Sequence, residues 1–566
     1  MAKVSKKGTK QGTIPWQWWK EKKMKDGVLW NTLRHNGPLL PPPYKRVPRS
    51  VKFYYSGNQM KLSKKAEEVA GLYAMMLGYS CASRPRFKNN FFKDWTEVMT
   101  SREKEIIEDF NECDFTDFEE YYKQKARERK TMTREKKLEM KRENEKLTKK
   151  YGYCILDDHK QEVVNFKIEP PALFKGRGNH PKMGMLKKRV EAEDVVINIG
   201  RRVSLPRPPR GHRWKEVCHD NKVAWLAKWA ILGSTKYMML GAGSKLKGVK
   251  DKLKYENARK LKTRINSIRR RYKRGFRSRN MLVRQRAVAL YFIDQLSLRA
   301  GNEKGRDTAD TVGCCSLRVQ HITLDAEKDG KRWVVSFDFP GKDSIRYRNS
   351  MPVDRLVFRN LENFMRDKRP RERLFDRLST SILNQYLNHL YRGLTAKVFR
   401  TYNASTKLEK YLDLLTRNNM NLDEKIRAYH QANKEVAIMC NHRRAIPRGF
   451  VKSMENLNSK ISDKITQIKE MKREVTAARK STKKEHEDKK RRLSRLEEQL
   501  TKLKQQARDK EGNKHIALGT SRLNYLDPRI SIAWCKKWDV PIDRIFNPNE
   551  RSKFEWAETA VPSFKY

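Results

Sequence analysis

Tyr525 is the residue whose surroundings most invite chemistry. It lies in Ala517-Leu518-Gly519-Thr520-Ser521-Arg522-Leu523-Asn524-Tyr525-Leu526-Asp527-Pro528-Arg529, a run of small and polar residues just after a long charged segment. Pro528 forbids a regular helix through the C-terminal side of the tyrosine. A phenol has a pKa of about 10 and is a poor nucleophile at neutral pH unless cations surround it. Cations abound: the chain has 128 Lys and Arg against 67 Asp and Glu, a formal charge of +61. So large an excess implies a polyanionic partner, nucleic acid ahead of an anionic membrane. Transfer at a phosphodiester needs a nucleophile, cations on the non-bridging oxygens and an acid for the leaving oxygen. Metal enzymes meet these needs with carboxylate clusters, and the sequence offers no convincing DxD, HExxH or Cys/His ligand cluster. It has no GxxxxGK(S/T) phosphate loop, hence no sign of ATP use. Arginine is the metal-free alternative, because it grips two phosphoryl oxygens in a fork and never deprotonates.

The elements that must position these groups span 566 residues, enough for several domains, since single cores stop growing at about 250–300 residues. No apolar run of about 18 residues and no secretory signal is found. The eight cysteines show no CxxC pairing and read as buried thiols in a reducing compartment. Aromatic residues make up 10% of the chain, so it folds rather than forming a basic disordered tail.

In chain order, residues 1–13 form a Lys-rich lead, expected to be disordered and neither Arg-rich nor clearly amphipathic. The globular part starts at Trp16, Trp18 and Trp19. Residues 51–55 read as a strand with a turn at Ser56-Gly57-Asn58, and helices are expected over 63–77 and through 103–118. Residues 119–150 read as a solvated, basic helix pair. From 153 to 198 the pattern turns β-rich, interrupted by residues 169–184, where Gly176 and Gly178 suggest a phosphate-cradling loop without the third glycine of GxGxxG. Short strands follow over 215–229 and 235–240. Helices over 245–279 and 281–299 come next, the second strongly apolar and delivering Arg299 at its end. Trp333, Val335, Phe337 and Phe339 alternate on one strand face. Pro340-Gly341 then suits a type II turn and puts Lys342 at a hairpin tip, ahead of a strand over 344–348. Helices dominate 354–442. Apolar spacings of three and four over about 450–510 predict an antiparallel coiled coil turning near 481–486.

The string Thr520–Arg529 resembles the active-site tyrosine motif of eukaryotic type IB DNA topoisomerases, and the resemblance continues through nearly the whole chain. It implies an α+β multidomain fold: a DNA-clamping cap domain, a mostly helical catalytic domain of the tyrosine recombinase/type IB topoisomerase class, and an antiparallel coiled-coil linker. The divisions expected are 1–13 for the lead, 14–245 for the clamp region, 246–445 for the catalytic core, 446–512 for the linker and 513–566 for the C-terminal domain. Residue by residue, Arg299 in Leu298-Arg299-Ala300-Gly301-Asn302-Glu303-Lys304 is similar to the first catalytic arginine. Arg400 in Leu394–Ser405 is similar to the second, and His442 in Cys440-Asn441-His442-Arg443 to the phosphate-binding histidine. Lys342 in Gly341-Lys342-Asp343-Ser344 resembles the lysine that protonates the leaving 5′ oxygen, and Tyr525 the nucleophile. Lys175, Arg177, Asn179, His180, Lys182, Asp343, Thr520 and Asn524 are implied DNA contacts.

The implied activity is ATP-independent relaxation of supercoiled duplex DNA through a 3′-phosphotyrosine intermediate, with no cofactor and no required divalent metal. The implied partner is double-stranded DNA, bound by a monomer without a membrane. The expected chain is nearly complete, lacking the long charged N-terminal tail of nuclear forms. Lys489-Lys490-Arg491-Arg492 points to the nucleus, with the mitochondrion as the alternative. A tyrosine recombinase uses similar groups, but its histidine typically precedes the second arginine as HxxR, whereas Arg400 here precedes His442. A non-enzymatic nucleic-acid scaffold explains the charge but not five ordered matches. The chain departs from the family pattern at Lys175, where Arg is common, at Pro340 in place of Leu, and at Gly305-Arg306 in place of acidic residues.

Overall fold

The computed structural model describes residues 16–21, 24, 27–302, 304–305, 308–478 and 483–566. The expected lead at 1–13, the departure at Arg306 and part of the expected coiled-coil turn lie outside them. The chain divides into two compact units, one made of residues 1–256, 303–311 and 546–559, the other of 257–302, 312–545 and 560–566. Among the described residues no helix is long and apolar enough to cross a membrane.

The first unit has two cores. One packs the strands β2 (Phe53–Tyr55), β3 (Asn58–Met60) and β4 (Cys113–Asp114) with the helices α1 (Lys64–Ala74), α2 (Pro85–Val98) and α3 (Ser101–Ile106). Its centre is aromatic: the rings of Tyr73 and Phe91 stack at 4.4 Å and those of Phe91 and Trp95 at 5.5 Å. The expected helix through 103–118 is wrong. Helix α3, capped by the reciprocal Thr100–Glu103 hydrogen bonds, stops at Ile106, and Cys113–Asp114 pairs with β2. The acidic composition there reflects exposure, not helicity. The next helix, α4 (Thr116–Thr131), and its partner α5 (Arg134–Tyr151) form the charged pair, mostly exposed as expected.

The second core lies on a seven-stranded sheet of order β1-β5-β6-β12-β11-β9-β10. Its members are β1 (Leu33–His35), β5 (Tyr153–Leu156), β6 (His159–Val164), β9 (Val196–Asn198), β10 (Glu216–Cys218), β11 (Trp225–Ile231) and β12 (Ser234–Leu240). The two-stranded ribbon β7 (Ala172–Leu173) and β8 (Leu186–Lys187) brackets the glycine-containing loop.

The second unit begins within the long helix α6 (Lys245–Gly275) and continues into α7 (Met281–Leu296), capped by Asn280. Helix α7 is shorter than expected. Ser297 adopts the left-handed conformation (φ 52°) and ends it, so Arg299 lies in an irregular segment beyond the helix. That segment is clamped by Cys314 N–H to the Arg299 carbonyl (2.8 Å) and Cys315 N–H to Ala300 (2.6 Å). Gly301 (φ 78°) and Gly313 touch backbone to backbone, and a Cβ on Gly301 would stand 2.4 Å from the Gly313 Cα.

A three-stranded meander follows: β13 (Ile322–Lys328), β14 (Lys331–Pro340) and β15 (Arg346–Pro352). The turn expected at Pro340-Gly341 sits elsewhere. Pro340 is still in the ladder opposite Arg346, and Gly341 has φ −85° where a type II turn wants a positive value. The left-handed residues are Asp343 (φ 63°) and Ser344 (φ 60°), so Lys342 rides a five-residue loop, 341–345.

Four helices come next: α8 (Arg355–Met365), α9 (Thr380–Leu390), α10 (Ala396–Leu415) and α11 (Leu422–Met439). Helices α12 (Phe450–Ala477) and α13 (Lys483–Gly512) run antiparallel, with Lys472 against Glu497 at 3.1 Å and Lys510 Nζ on the Ser453 carbonyl at 3.0 Å. Helix α13 already begins at Lys483, so 483–486 of the expected turn are helical, and 481–482 lie outside the described residues. The feet of this hairpin are zipped together: Arg444 N–H donates to His515, and Ala517 N–H donates to the His442 carbonyl (2.7 Å). The excursion therefore returns the chain beside His442. There it forms α14 (Leu518–Asn524), then α15 (Pro528–Lys537) with Pro528 at its first turn and Asp527 as cap. A last short helix, α16 (Pro548–Phe554), belongs to the first unit.

Candidate active site

Tyr525 terminates α14 with non-helical backbone (φ −129°, ψ −26°), because Asp527 and Pro528 start a new helix three residues on. Its backbone is fixed on both sides. The Tyr525 and Leu526 N–H groups donate to the Ser521 carbonyl at 2.8 and 3.1 Å. From α10, the fully buried Ser405 hydroxyl donates to the Tyr525 carbonyl (3.2 Å) and accepts from Asp527 N–H (3.1 Å). The phenol ring is only 4% exposed, and the groups around it are basic. Arg299 Nη1 donates to the phenol oxygen at 3.0 Å, the Arg400 guanidinium lies 4.9 Å from the ring centre, and the His442 ring stacks on it at 5.2 Å.

Electrostatics follow from this geometry. Burial pushes the Tyr525 pKa up, but Arg400 and Arg299 more than offset it, and the net shift is downward. His442 is held neutral, at about 3, by burial and then by Arg400, Arg299 and Lys342. Arg400 is itself 4% exposed. Its guanidinium is aimed by the carbonyls of Ser297 and Cys440 and contacts His442 Nε2 at 3.3 Å. Ser297 is in turn gripped by Asn403, three residues along α10, whose amide donates to its hydroxyl at 2.9 Å and to the Asp294 carbonyl at 2.6 Å.

Arg299, Arg400, His442, Lys342, Asp343 and Thr520 line one cavity of about 130 Å³. Lys342 and Asp343 are exposed at the hairpin tip, and Asn524 is exposed with its amide on the Thr520 carbonyl (3.1 Å). The second unit thus gathers Tyr525, Arg299, Arg400, His442, Lys342, Asp343, Thr520 and Asn524. A site holding two guanidiniums and a neutral imidazole around one phenol, with Lys342 on the adjoining cavity, can bind a phosphoryl group and stabilise charge on it.

Lys175, Arg177, Asn179, His180 and Lys182 sit in the first unit, on the loop between β7 and β8. Gly176 and Gly178 are both left-handed (φ 63° and 59°). Helix α2, which no sequence expectation covered, holds this loop. Arg84 donates to the Gly178 carbonyl, Arg86 to Asn179, and Asn90 to both Pro181 and Met183. Arg177 and Asn179 are exposed, Lys175 lies over the Tyr79 ring at 3.8 Å, and Lys182 is turned onto the Leu232 carbonyl. Pro85 at the first turn of α2 and the apolar spacing of Phe87, Phe91 and Trp95 were the signals available for that helix.

Three family descriptions cover the chain: eukaryotic DNA topoisomerase I, DNA binding fragment, over residues 28–240; its catalytic core over 243–475; and the C-terminal topoisomerase domain over 497–566. The chain is 55% identical over 550 residues to DNA topoisomerase 1 of Mus musculus, covering 95% of this chain and 72% of that one. It is 56% identical to the Chlorocebus aethiops protein and 55% to the Homo sapiens protein over the same spans. The chain belongs to the eukaryotic DNA topoisomerase I family. It is a DNA topoisomerase and binds DNA, with the α+β multidomain architecture of that family. Sequence reasoning about this topoisomerase missed Ser297, Asn403, Ser405 and Ser521. Each is a small polar residue within five positions of a site residue, and the tertiary contact that sets it against the site was the signal that sequence alone did not carry.

Proposed function

We propose that this topoisomerase relaxes supercoiled duplex DNA by transient cleavage of one strand through a 3′-phosphotyrosine. The Tyr525 oxygen attacks the backbone phosphorus, forming a P–O bond to tyrosine as the bond to the 5′ oxygen breaks. Arg299, Arg400 and His442 hold the charge that develops on the non-bridging oxygens. The phenol gives up its proton and Lys342 supplies one to the departing 5′ oxygen, so protons balance once Lys342 is recharged. A phosphodiester is exchanged for a phosphodiester, so religation runs the same steps backward and ATP has no role. The loop carrying Lys175, Arg177, Asn179, His180 and Lys182, with Asp343, Thr520 and Asn524, grips the duplex while torsion turns the free strand. The reading extends to the nucleus as the place of action, on the basic run Lys489–Arg492, which imaging of a tagged chain checks.

The observation that carries this reading is the 3.0 Å hydrogen bond from Arg299 to the phenol oxygen, within the cluster formed by Arg400 and His442. A guanidinium can only donate, so this contact favours the deprotonated phenol. The test is plasmid relaxation, of both positive and negative supercoils, in excess EDTA without nucleotide. Trapped adducts should carry protein on the 3′ end of the broken strand. Strict need for a divalent ion or nucleotide, or linkage to the 5′ end, overturns the mechanism.

A further inference from the structure

Ser521 has no part in the chemistry just described, yet it is fully buried and its hydroxyl lies 2.6 Å from His442 Nδ1. The other ring nitrogen, Nε2, faces Arg400 Nη2 at 3.3 Å. A guanidinium has no acceptor, so in this contact Nε2 must accept, and the imidazole proton must sit on Nδ1 and point at Ser521 Oγ. A phosphate oxygen imposes the opposite demand. It is an acceptor only, so a neutral histidine serves it only by donating from Nε2. The imidazole then carries its one proton on Nε2, and Nδ1 becomes a buried lone pair that needs a donor. A hydroxyl can meet both demands by rotating, accepting in one state and donating in the other. A carboxylate, which only accepts, or an ammonium, which only donates, could not.

We propose that Ser521 is a positioning residue whose reversible hydroxyl lets His442 change tautomer, from acceptor of Arg400 in the free enzyme to donor toward the scissile phosphate. The inference rests on the reading that His442 contacts that phosphate. It is supported by the burial and the neighbouring Arg400, Arg299 and Lys342 that keep the ring neutral, which leave tautomer exchange as its means of becoming an Nε2 donor. The backbone of Ser521 separately anchors Tyr525 and Leu526 through its carbonyl. An alanine keeps that anchor and favours the helix, so the side-chain role can be isolated.

The experiment is a double-mutant cycle on single-turnover cleavage of a suicide duplex, with DNA affinity measured in parallel. Ser521→Ala should slow cleavage about tenfold with affinity unchanged, since a buried ring nitrogen loses its partner in the donating state. His442→Gln puts an amide donor near the place of Nε2 and needs no hydroxyl behind it. In that background Ser521→Ala should therefore have no further effect. An equal loss in both backgrounds means a merely structural role and overturns the proposal. Wild-type cleavage by Ser521→Ala, with His442→Ala slow, also overturns it while sparing the mechanism. Normal cleavage by His442→Ala instead sinks the phosphate-contact reading itself. A variant-free check is 15N-histidine NMR, with the His442 signal assigned by its absence in His442→Gln. The Nδ1–H form should dominate in the free enzyme and give way to Nε2–H when inorganic vanadate fills the site. One unchanging tautomer in both states overturns the proposal.

Discussion

Two tyrosines of the second unit are buried to the same degree and have opposite chemistry. Tyr272, on α6, is 3% exposed and Tyr525 is 4% exposed. The Tyr272 hydroxyl donates to the Asp294 carboxylate at 2.9 Å, and burial together with that negative partner drives its pKa well up. The Tyr525 oxygen accepts from Arg299, and Arg400 lies against its ring, so its pKa falls despite comparable burial. Low dielectric amplifies whichever charge is present. The sign of the neighbour, and not enclosure, decides whether a phenol is a structural donor or a nucleophile.

The largest expected effect breaks the pair apart. Tyr525→Phe should abolish adduct formation and relaxation while DNA affinity stays near the parent value. Tyr272→Phe should keep relaxation within a few-fold and instead lower thermal stability, by about 0.5–1.5 kcal/mol for one lost hydrogen bond. Cleavage assays and melting curves on the two variants check both arms. A relaxing Tyr525→Phe enzyme would identify another nucleophile.

The next effect concerns the cations. Arg299→Ala or Arg400→Ala should slow cleavage by about 10²–10³-fold, the usual cost of removing one oxyanion donor. Lys342→Ala should also slow cleavage of an ordinary phosphodiester, but a 5′-bridging phosphorothiolate should largely restore it, because a thiolate leaves without protonation. The arginine variants should gain no such rescue. Equal rescue of all three would mean that Lys342 acts on charge, not as the acid.

Much of this contrast was legible in the residue string, and the remainder was lost for physical reasons. The tyrosine segment, both arginines, the histidine and the lysine were placed by extended motifs, and the helix break at Pro528 follows from its missing N–H. The coiled coil was readable because its apolar stripe repeats. What escaped were features set by tertiary contact. Ser297 stops α7 in a left-handed conformation that a serine does not advertise, and Pro340 stays in a ladder where its ring was expected to turn the chain. The buried serines 405 and 521 look like ordinary helix residues until Tyr525 and His442 are set against them. Helix α2 went unread although its proline and aromatic spacing announced it. Tight hairpins at Asp157-Asp158 and Leu232-Gly233 also carry left-handed pairs without the Asn-Gly signature.

The smallest effect sharpens the comparison by extending it from phenols to imidazoles, where acid reveals how tightly a neutral ring is held. His442 is pushed to about 3 and His35, in the first unit, to about 4, each chiefly by burial. His35 sits between the Asn198 carbonyl (2.9 Å) and the Gly37 N–H (3.0 Å), partners that fix its proton on Nε2, so it lacks the reversible hydroxyl available to His442. In the unfolded chain both rings take a proton near pH 6.5. Between that value and the depressed native one, the unfolded state holds more protons, so stability rises with pH and is lost as acid is added. The contribution is complete above about pH 6.5 and levels off below about 3 for His442 and about 4 for His35. Each ring adds a slope of about 1.4 kcal/mol per pH unit within its window. Denaturant melts between pH 4.5 and 6 should therefore lose about one proton of pH dependence in His442→Gln, and a similar amount in His35→Gln. An unchanged slope in His442→Gln would mean that the ring is charged or solvated in the native protein, and the phenol beside it would then face a third cation.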